Sequence, residues 1–478
     1  MDSASLPFIL FGLIGATLSN RRHAPKWRSA VLFVCSVAFI AVLVPSLTAA
    51  LPLAGFLVLG FLGLVLLQHG FVRLRSAILF AVVLAYVWLK KYTFLPPQAF
   101  LAQPYTTLGL SYIFFRVLRV LIETGDAGRS QRIGLFRYLL YTLNFTTFVS
   151  GPIQSYDDFA RDQFAPEPIS LGPRMVGLQL ERIVRGFFKV NVLAALLIAL
   201  QQDALVALHE AVPTSVRVVA AVEVISIYPL FLYSNFSGYI DIVIAIARLM
   251  RLRLPENFDR PFSSACFLEF WSRWHITLSG WLKTFVYNPL LKFLMSRTSS
   301  LPMQQFFGVL CFFVTFFLVG LWHGRTSEFV VFGALQGGGV AINKIWQLGM
   351  TAVLGRRGYR SLAKNPVYVA LARGLTFAWF GATLFWFWGS WDQINRAFAS
   401  LAWDHWLAAW LAVWGGATVV LALWEWIRKL LTSVRAGGAP VLNSRFARVA
   451  FATALALGSF VMTGILNQPA PEIIYKAF

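Results

Sequence analysis

Apolar runs return along this chain so regularly that little room is left between them. They fall at roughly residues 6–19, 29–44, 51–67, 76–89, 105–122, 135–150, 187–200, 217–250, 305–322, 328–345, 367–388, 405–426 and 446–466. A helix needs about 20 apolar residues to cross a bilayer, and within it only structures that satisfy every peptide group internally survive. The pattern predicts an all-α integral membrane protein. The run 217–250 has room for two helices and several others fall short of a full span. About 11–14 transmembrane or re-entrant helices are therefore expected, packed as a bundle with an interior cavity.

A composition of 58% hydrophobic and 13% charged residues, with mean hydropathy +0.68, excludes an ordinary soluble protein. The 44 Phe and 17 Trp suit lipid-facing and interfacial positions. A net charge of +21 would fit a nucleic-acid binder if it lined one soluble face, but it is divided into short clusters between apolar runs. Arg21, Arg22, Lys26 and Arg28 form one, Arg248, Arg251 and Arg253 another, and Arg356, Arg357 and Arg360 a third. No nucleic-acid partner is expected. The positive-inside bias and contact with anionic membrane lipids account for the clusters, with an acidic cytosolic partner or a phosphate-bearing donor as the alternative. Cys35, Cys266 and Cys311 show neither a disulfide framework nor a metal spacing, so no metal site is expected. Positive charge arrives only after the first apolar run, the reverse of a cleaved leader. This predicts Met1 to Ser3 outside and Arg21 to Arg28 in the cytoplasm.

Polarity within this apolar background marks the segments that need a reason. In GLSYIFFRVLRVLIE, residues 109–123, Arg116, Arg119 and Glu123 share a helix face; they either pair internally or line a polar cavity. Asp241, in NFSGYID, must find a cation, and Arg248 and Arg273 are the candidates. From Asp157 to Lys189 charge rises, predicting a helix on the bilayer surface and a cytosolic docking element.

The densest such segment is PENFDRPFSSACFLEFWSRWHITLSGWLKTFVYNP, residues 255–289. Read as one helix from about Cys266, it stacks Trp271, His275, Leu278 and Leu282 on one face, with Trp274, Leu278, Trp281 and Phe285 beside them. Some fifty residues on, His323 ends a charge-free run from Phe306 to Trp322. An ionisable group there is costly and a functional candidate by default; as a neutral imidazole it can accept a proton near neutral pH. Spacing alone leaves His275 and His323 as core histidines or as partners in one site. His23, His69, His209 and His405 read as loop or interfacial residues.

The segment PENFDRPF…EFWSRWHITLSGW followed by GLWHG at 320–324, with YSNFSGYIDIVIAIARL upstream, resembles the membrane-bound O-acyltransferase superfamily over residues 105–345. The chain would then comprise N-terminal transmembrane helices at 1–104, the catalytic core at 105–345 and C-terminal transmembrane helices at 346–478. It looks like the bacterial branch of the teichoic-acid D-alanyl transferase and the alginate O-acetyltransferase. GLSYIFFRVLRVLIE and SGPIQSYDDF are more like the former, and the extension past residue 365 more like the latter. Two features depart from the acetyltransferase pattern: Tyr287-Asn288-Pro289 replaces a Gly-Gly-Asn-Arg turn, and Phe385-Trp386-Phe387-Trp388-Gly389 lacks the arginine after paired aromatics. The acyl group, acetyl or D-alanyl, stays open.

The resemblance implies a central tunnel in a multi-pass protein of the cell membrane. An acyl-phosphopantetheine donor, coenzyme A or an acyl carrier protein, would enter from the cytosolic side as a substrate, with no tightly bound cofactor and no metal. The acceptor would be an envelope glycan, a teichoic acid or a relay protein on the outer side. His323 would be the general base, and His275 would donate to the oxyanion or orient a reacting group. Trp271, Trp274 and Trp322 would wall the tunnel, with Ser279, Asn257 and Asp241 as tunnel or substrate residues. The rival readings are a multi-pass transporter or flippase of an envelope precursor, which would use Arg116, Arg119, Asp241 and Glu269 to line a path, and a non-catalytic assembly protein.

Overall fold

The computed structural model describes residues 5–471 apart from 102–104, 106, 128–131, 434, 437–438, 441–443 and 467–470. The placement of Met1 to Ser3 therefore lies outside the described residues. The chain is an all-α multi-pass membrane protein. Among the described residues, nine helical stretches are long and apolar enough to cross a bilayer: Pro25–Leu43, Leu47–Gln68, Val72–Leu89, Pro173–His209, Thr214–Leu249, Leu301–His323, Pro366–Trp388, Trp403–Ser433 and Arg445–Leu466. Leu6–Ser19 is a shorter apolar helix. A two-residue ladder pairs Arg435–Ala436 with Ala439–Pro440.

Several runs fold differently from a simple span. Residues 217–250 form part of one 36-residue helix, Thr214–Leu249, that continues through Pro229. Leu135–Thr142 stops after eight residues. Ser327–Leu362 bends at Gly355, whose φ of 68° is a conformation glycine adopts without steric penalty.

By internal packing the chain forms two units. The first takes in residues up to Val190 together with Phe236–Glu256; the second takes in Asn191–Asn235 and Asn257–Pro471.

In the first unit, buried charge is consumed by backbone and carboxylates. Arg116, on the helix Leu110–Ala127, is 2% exposed and donates to the carbonyls of Tyr141 and Thr142, which the early end of Leu135–Thr142 would leave without helical partners, and to that of Thr147 in the turn beyond. Arg119 and Glu123 pair with each other at 2.7 Å. Asp241 meets neither Arg248 nor Arg273. Its carboxylate accepts from Arg182 Nε at 2.9 Å and Lys189 Nζ at 2.8 Å. The reason is a close helix crossing: a Cβ on Gly186 would lie 2.6 Å from the Gly238 carbonyl oxygen, and one on Gly238 would lie 2.8 Å from that of Gly186. Arg182 and Lys189 sit about one turn to either side of Gly186 and so reach Asp241. The expected surface helix at 157–189 is likewise two helices, Tyr156–Gln163 and Pro173–Phe188. The first is anchored by Asp162, 2% exposed, which accepts from the Arg253 backbone N–H at 2.8 Å and its guanidinium at 3.0 Å.

In the second unit, glycines again set the closest approach. A Cβ on Gly320 would lie 2.2 Å from Gly333 Cα, and ones on Gly333 and Gly337 would each lie 2.5 Å from the carbonyls of Phe317 and Phe313. The helices Leu301–His323 and Ser327–Leu362 therefore pack backbone to backbone along a small-residue seam. Gly324, at the turn, makes room for the Phe329 ring, which any Cβ there would strike. The seam fixes where His323, the last residue of its helix, is held.

Candidate active site

His275 does not lie inside a helix. The expected continuous helix from Cys266 breaks into Phe267–Arg273 and Ile276–Leu282, with Trp274 extended between them and His275 left-handed at φ 45°, ψ 53°. For a residue with a Cβ this costs about 1–2 kcal/mol, so the surroundings must impose it. They do so through the loop at Asn257. Trp274 forms a β-bridge with Phe258, and Asp259 N–H donates to the Arg273 carbonyl at 3.0 Å. Ile276 N–H donates to the Asn257 carbonyl at 3.0 Å, and Thr277 N–H to Asn257 Oδ1 at 3.0 Å. Asn257 thus caps the second short helix from a different stretch of chain. A local pattern could not foretell this, because the apolar spacing through the break still fits a helix.

Asn257 also faces the imidazole, with Oδ1 3.3 Å from His275 Nδ1. Since Oδ1 accepts from Thr277 N–H and from Thr277 Oγ1 at 2.8 Å, its identity as the carbonyl oxygen is fixed. Nδ1 must then be the protonated ring nitrogen, which leaves the lone pair on Nε2. Asn257 Nδ2 is buried and finds no partner among the described residues.

His323 ends the helix Leu301–His323 and is 3% exposed; His275 is 0% exposed. The two imidazoles meet on one indole. Trp322 lies 6.2 Å from the His275 ring, in a T-shaped contact, and 4.6 Å from the His323 ring. Phe387 at 5.2 Å and Phe332 at 6.0 Å also contact the His323 ring. The aromatic pair before Gly389 was the only sequence signal for Phe387. Glu328, five residues past His323, is 9% exposed and accepts from the Trp391 backbone N–H at 2.9 Å. It ties down the start of the helix that supplies Phe332.

The other sequence candidates divide. Trp271 packs on Phe316 at 5.1 Å, so the segment 271–275 touches the Leu301–His323 helix at two points, Phe316 and Trp322. Trp274 is enclosed by Phe270, Phe258 and Phe380 at 5.5, 5.1 and 5.2 Å. Both indoles hold the break in place, and neither has a ring contact with an imidazole among the contacts found. Ser279 Oγ donates to the Trp274 carbonyl at 3.4 Å. Asp241 belongs to the first unit and is engaged there with Arg182 and Lys189.

His275 lies outside the candidate spans, and burial pushes its pKa down from 6.5 to about 3. The folded protein therefore keeps this ring neutral, while the unfolded chain takes up a proton below pH 6.5. Stability from this group is complete above that value and falls as pH drops from 6.5 towards 3, by up to about 1.4 kcal/mol per pH unit. Thermal unfolding in detergent between about pH 7 and pH 5 should show wild type losing more stability than His275→Gln. Parallel curves for the two proteins would show that the ring is not held neutral.

Most of the sequence that carries this arrangement matches a known family. Residues 83–372, more than half of the chain, match the model of the MBOAT, or membrane-bound O-acyltransferase, family, and the protein belongs to it. The chain is 30% identical to a teichoic acid D-alanyltransferase of Streptococcus thermophilus, across 56% of this chain and 65% of that protein. It is 26% identical to the teichoic acid D-alanyltransferase of Bacillus subtilis, across 47% and 56% of the two chains. It is also 30% identical to a probable alginate O-acetylase, AlgI, of Pseudomonas fluorescens, across 50% and 44%. The matched part thus spans between about two-fifths and two-thirds of these relatives' length.

Proposed function

We propose that the protein transfers an acetyl or D-alanyl group from a cytosolic thioester to hydroxyl groups of an extracytoplasmic envelope polymer or of a relay protein. Both kinds of relative act by acyl transfer according to their names, which supports the class, and their similar identities leave the acyl group to experiment. The observation that carries the reading is the pair of buried imidazoles meeting on Trp322 within the family-matched segment.

In this mechanism the acceptor hydroxyl attacks the thioester carbon while His323 takes its proton. The tetrahedral adduct collapses, the C–S bond breaks and the proton passes to the departing thiolate. The imidazolium forms at the carbonyl end of a helix, whose partial negative charge favours it. Trp322, Phe332 and Phe387 keep water from competing for the thioester. Of the two roles open to His275, orientation is favoured over donation to the oxyanion, because the ring is neutral and its Nδ1–H is turned to Asn257. The donor is coenzyme A or a phosphopantetheine carrier protein, and the protein's own residues supply positioning and base catalysis.

Envelope polymers from cells with and without the gene should differ by one alkali-labile ester, whose mass identifies the acyl group. Movement of an envelope precursor across proteoliposomes with no ester formed would assign the protein to transport instead.

A further inference from the structure

The second unit contains a cavity that neither imidazole lines. It measures about 770 Å³, within the usual range of about 300–1,000 Å³ for small-molecule sites. Its walls come from the start of the Phe267–Arg273 helix and from the helices Ser327–Leu362, Pro366–Thr383 and Trp403–Ser433. Phe267, Ile342, Leu371, Leu375, Trp410 and Trp414 make most of the lining apolar. Leu371, Leu375 and Ile342 are also 45%, 41% and 62% exposed, so the cavity opens sideways on helices that are themselves apolar outside. Such an opening in a membrane protein faces lipid.

Charge distinguishes the cavity from a general greasy crevice. Between Glu328 and Asp392 the sequence has no acidic residue but has Lys344, Arg356, Arg357, Arg360, Lys364 and Arg373. Tyr359 and Ala363 line the cavity, the exposed Arg356 and Arg360 lie one turn apart on the adjoining helix face, and the exposed Lys364 follows just past the helix end. Tyr359 and Tyr368 are hydrogen-bonded, and Trp346 Nε1 donates to Tyr368 Oη at 3.0 Å, giving this end a polar rim.

We infer that the cavity is a binding site for an anionic diacyl phospholipid. One acyl chain lies against Leu371, Leu375 and Trp414, and the phosphate sits among Arg356, Arg360 and Lys364. The acyl donor of the reaction is a poorer fit, because a two- or three-carbon acyl group does not need so much apolar wall.

The test is lipid retention by purified full-length protein in neutral detergent, read by native mass spectrometry with dioleoyl phosphatidylglycerol and dioleoyl phosphatidylcholine. Wild type should retain phosphatidylglycerol preferentially. The triple variant Arg356→Gln, Arg360→Gln, Lys364→Gln should lose this preference by about tenfold or more while still binding lipid. Ala372→Phe, which fills the cavity, should reduce retention of both lipids at an unchanged melting temperature. If that variant fails to fold, the exposed charge variant decides alone. Equal retention of the two lipids by wild type, or undiminished preference in the triple variant, would overturn the site. Displacement of bound lipid by acetyl-coenzyme A would assign the cavity to the donor. None of these readouts depends on turnover, so they stand or fall separately from the proposed reaction.

Discussion

Replacing His323 by alanine is expected to lower acyl transfer by at least about a hundredfold, within the range of about 10² to 10⁴ that a positioned general base supplies. The aromatic rings that touch it, Trp322, Phe332 and Phe387 among them, cannot accept a proton at neutral pH and so cannot take its place. Alanine also leaves a void among these rings, so His323→Gln should be measured beside it. Glutamine keeps most of the volume and a polar end but cannot act as a base. Ester content of the envelope polymer, in cells that make each variant at wild-type level, gives the rate. A folded His323→Gln protein that acylates as fast as wild type would place the base elsewhere.

Much of the fold was legible because membrane insertion writes itself into hydropathy. The runs at 29–44, 51–67, 305–322 and 446–466 correspond closely to helices. The two histidines were also legible, one by its tryptophans and one by ending a charge-free run. What the sequence hid was every feature decided by a distant backbone. For Asp241 the sequence offers Arg248, seven residues away on the same helix, and Arg273. Its partners lie 59 and 52 residues away in sequence, and a glycine-to-glycine crossing selects them. For Arg116 internal pairing and a polar cavity were both open, and the side chain instead serves the Tyr141 and Thr142 carbonyls that a truncated helix leaves open, and that of Thr147 beyond it. The helix break at His275 was hidden for the same reason, since Asn257 enforces it from outside the local pattern.

That same Asn257 sets the second large effect. Asn257→Ala removes the acceptor of the half-buried Thr277 N–H and Oγ1 and of the fully buried His275 Nδ1–H. Losing a buried hydrogen-bond partner costs about 1–3 kcal/mol, so a loss of that order is expected, together with at least about a tenfold fall in transfer as the ring loses its fixed tautomer. Loss of stability alone would be consistent with a strut, so Asn257→Asp carries the distinction. Aspartate keeps the acceptor and puts a negative charge beside His275, which favours the imidazolium. If transfer uses the Nε2 lone pair of a neutral His275, the acid limb of the pH–rate profile should move to higher pH by at least about one unit. A merely structural Asn257 would leave that limb where it is. An Asn257→Asp protein that folds and keeps both the wild-type rate and the wild-type profile would therefore leave Asn257 as a strut.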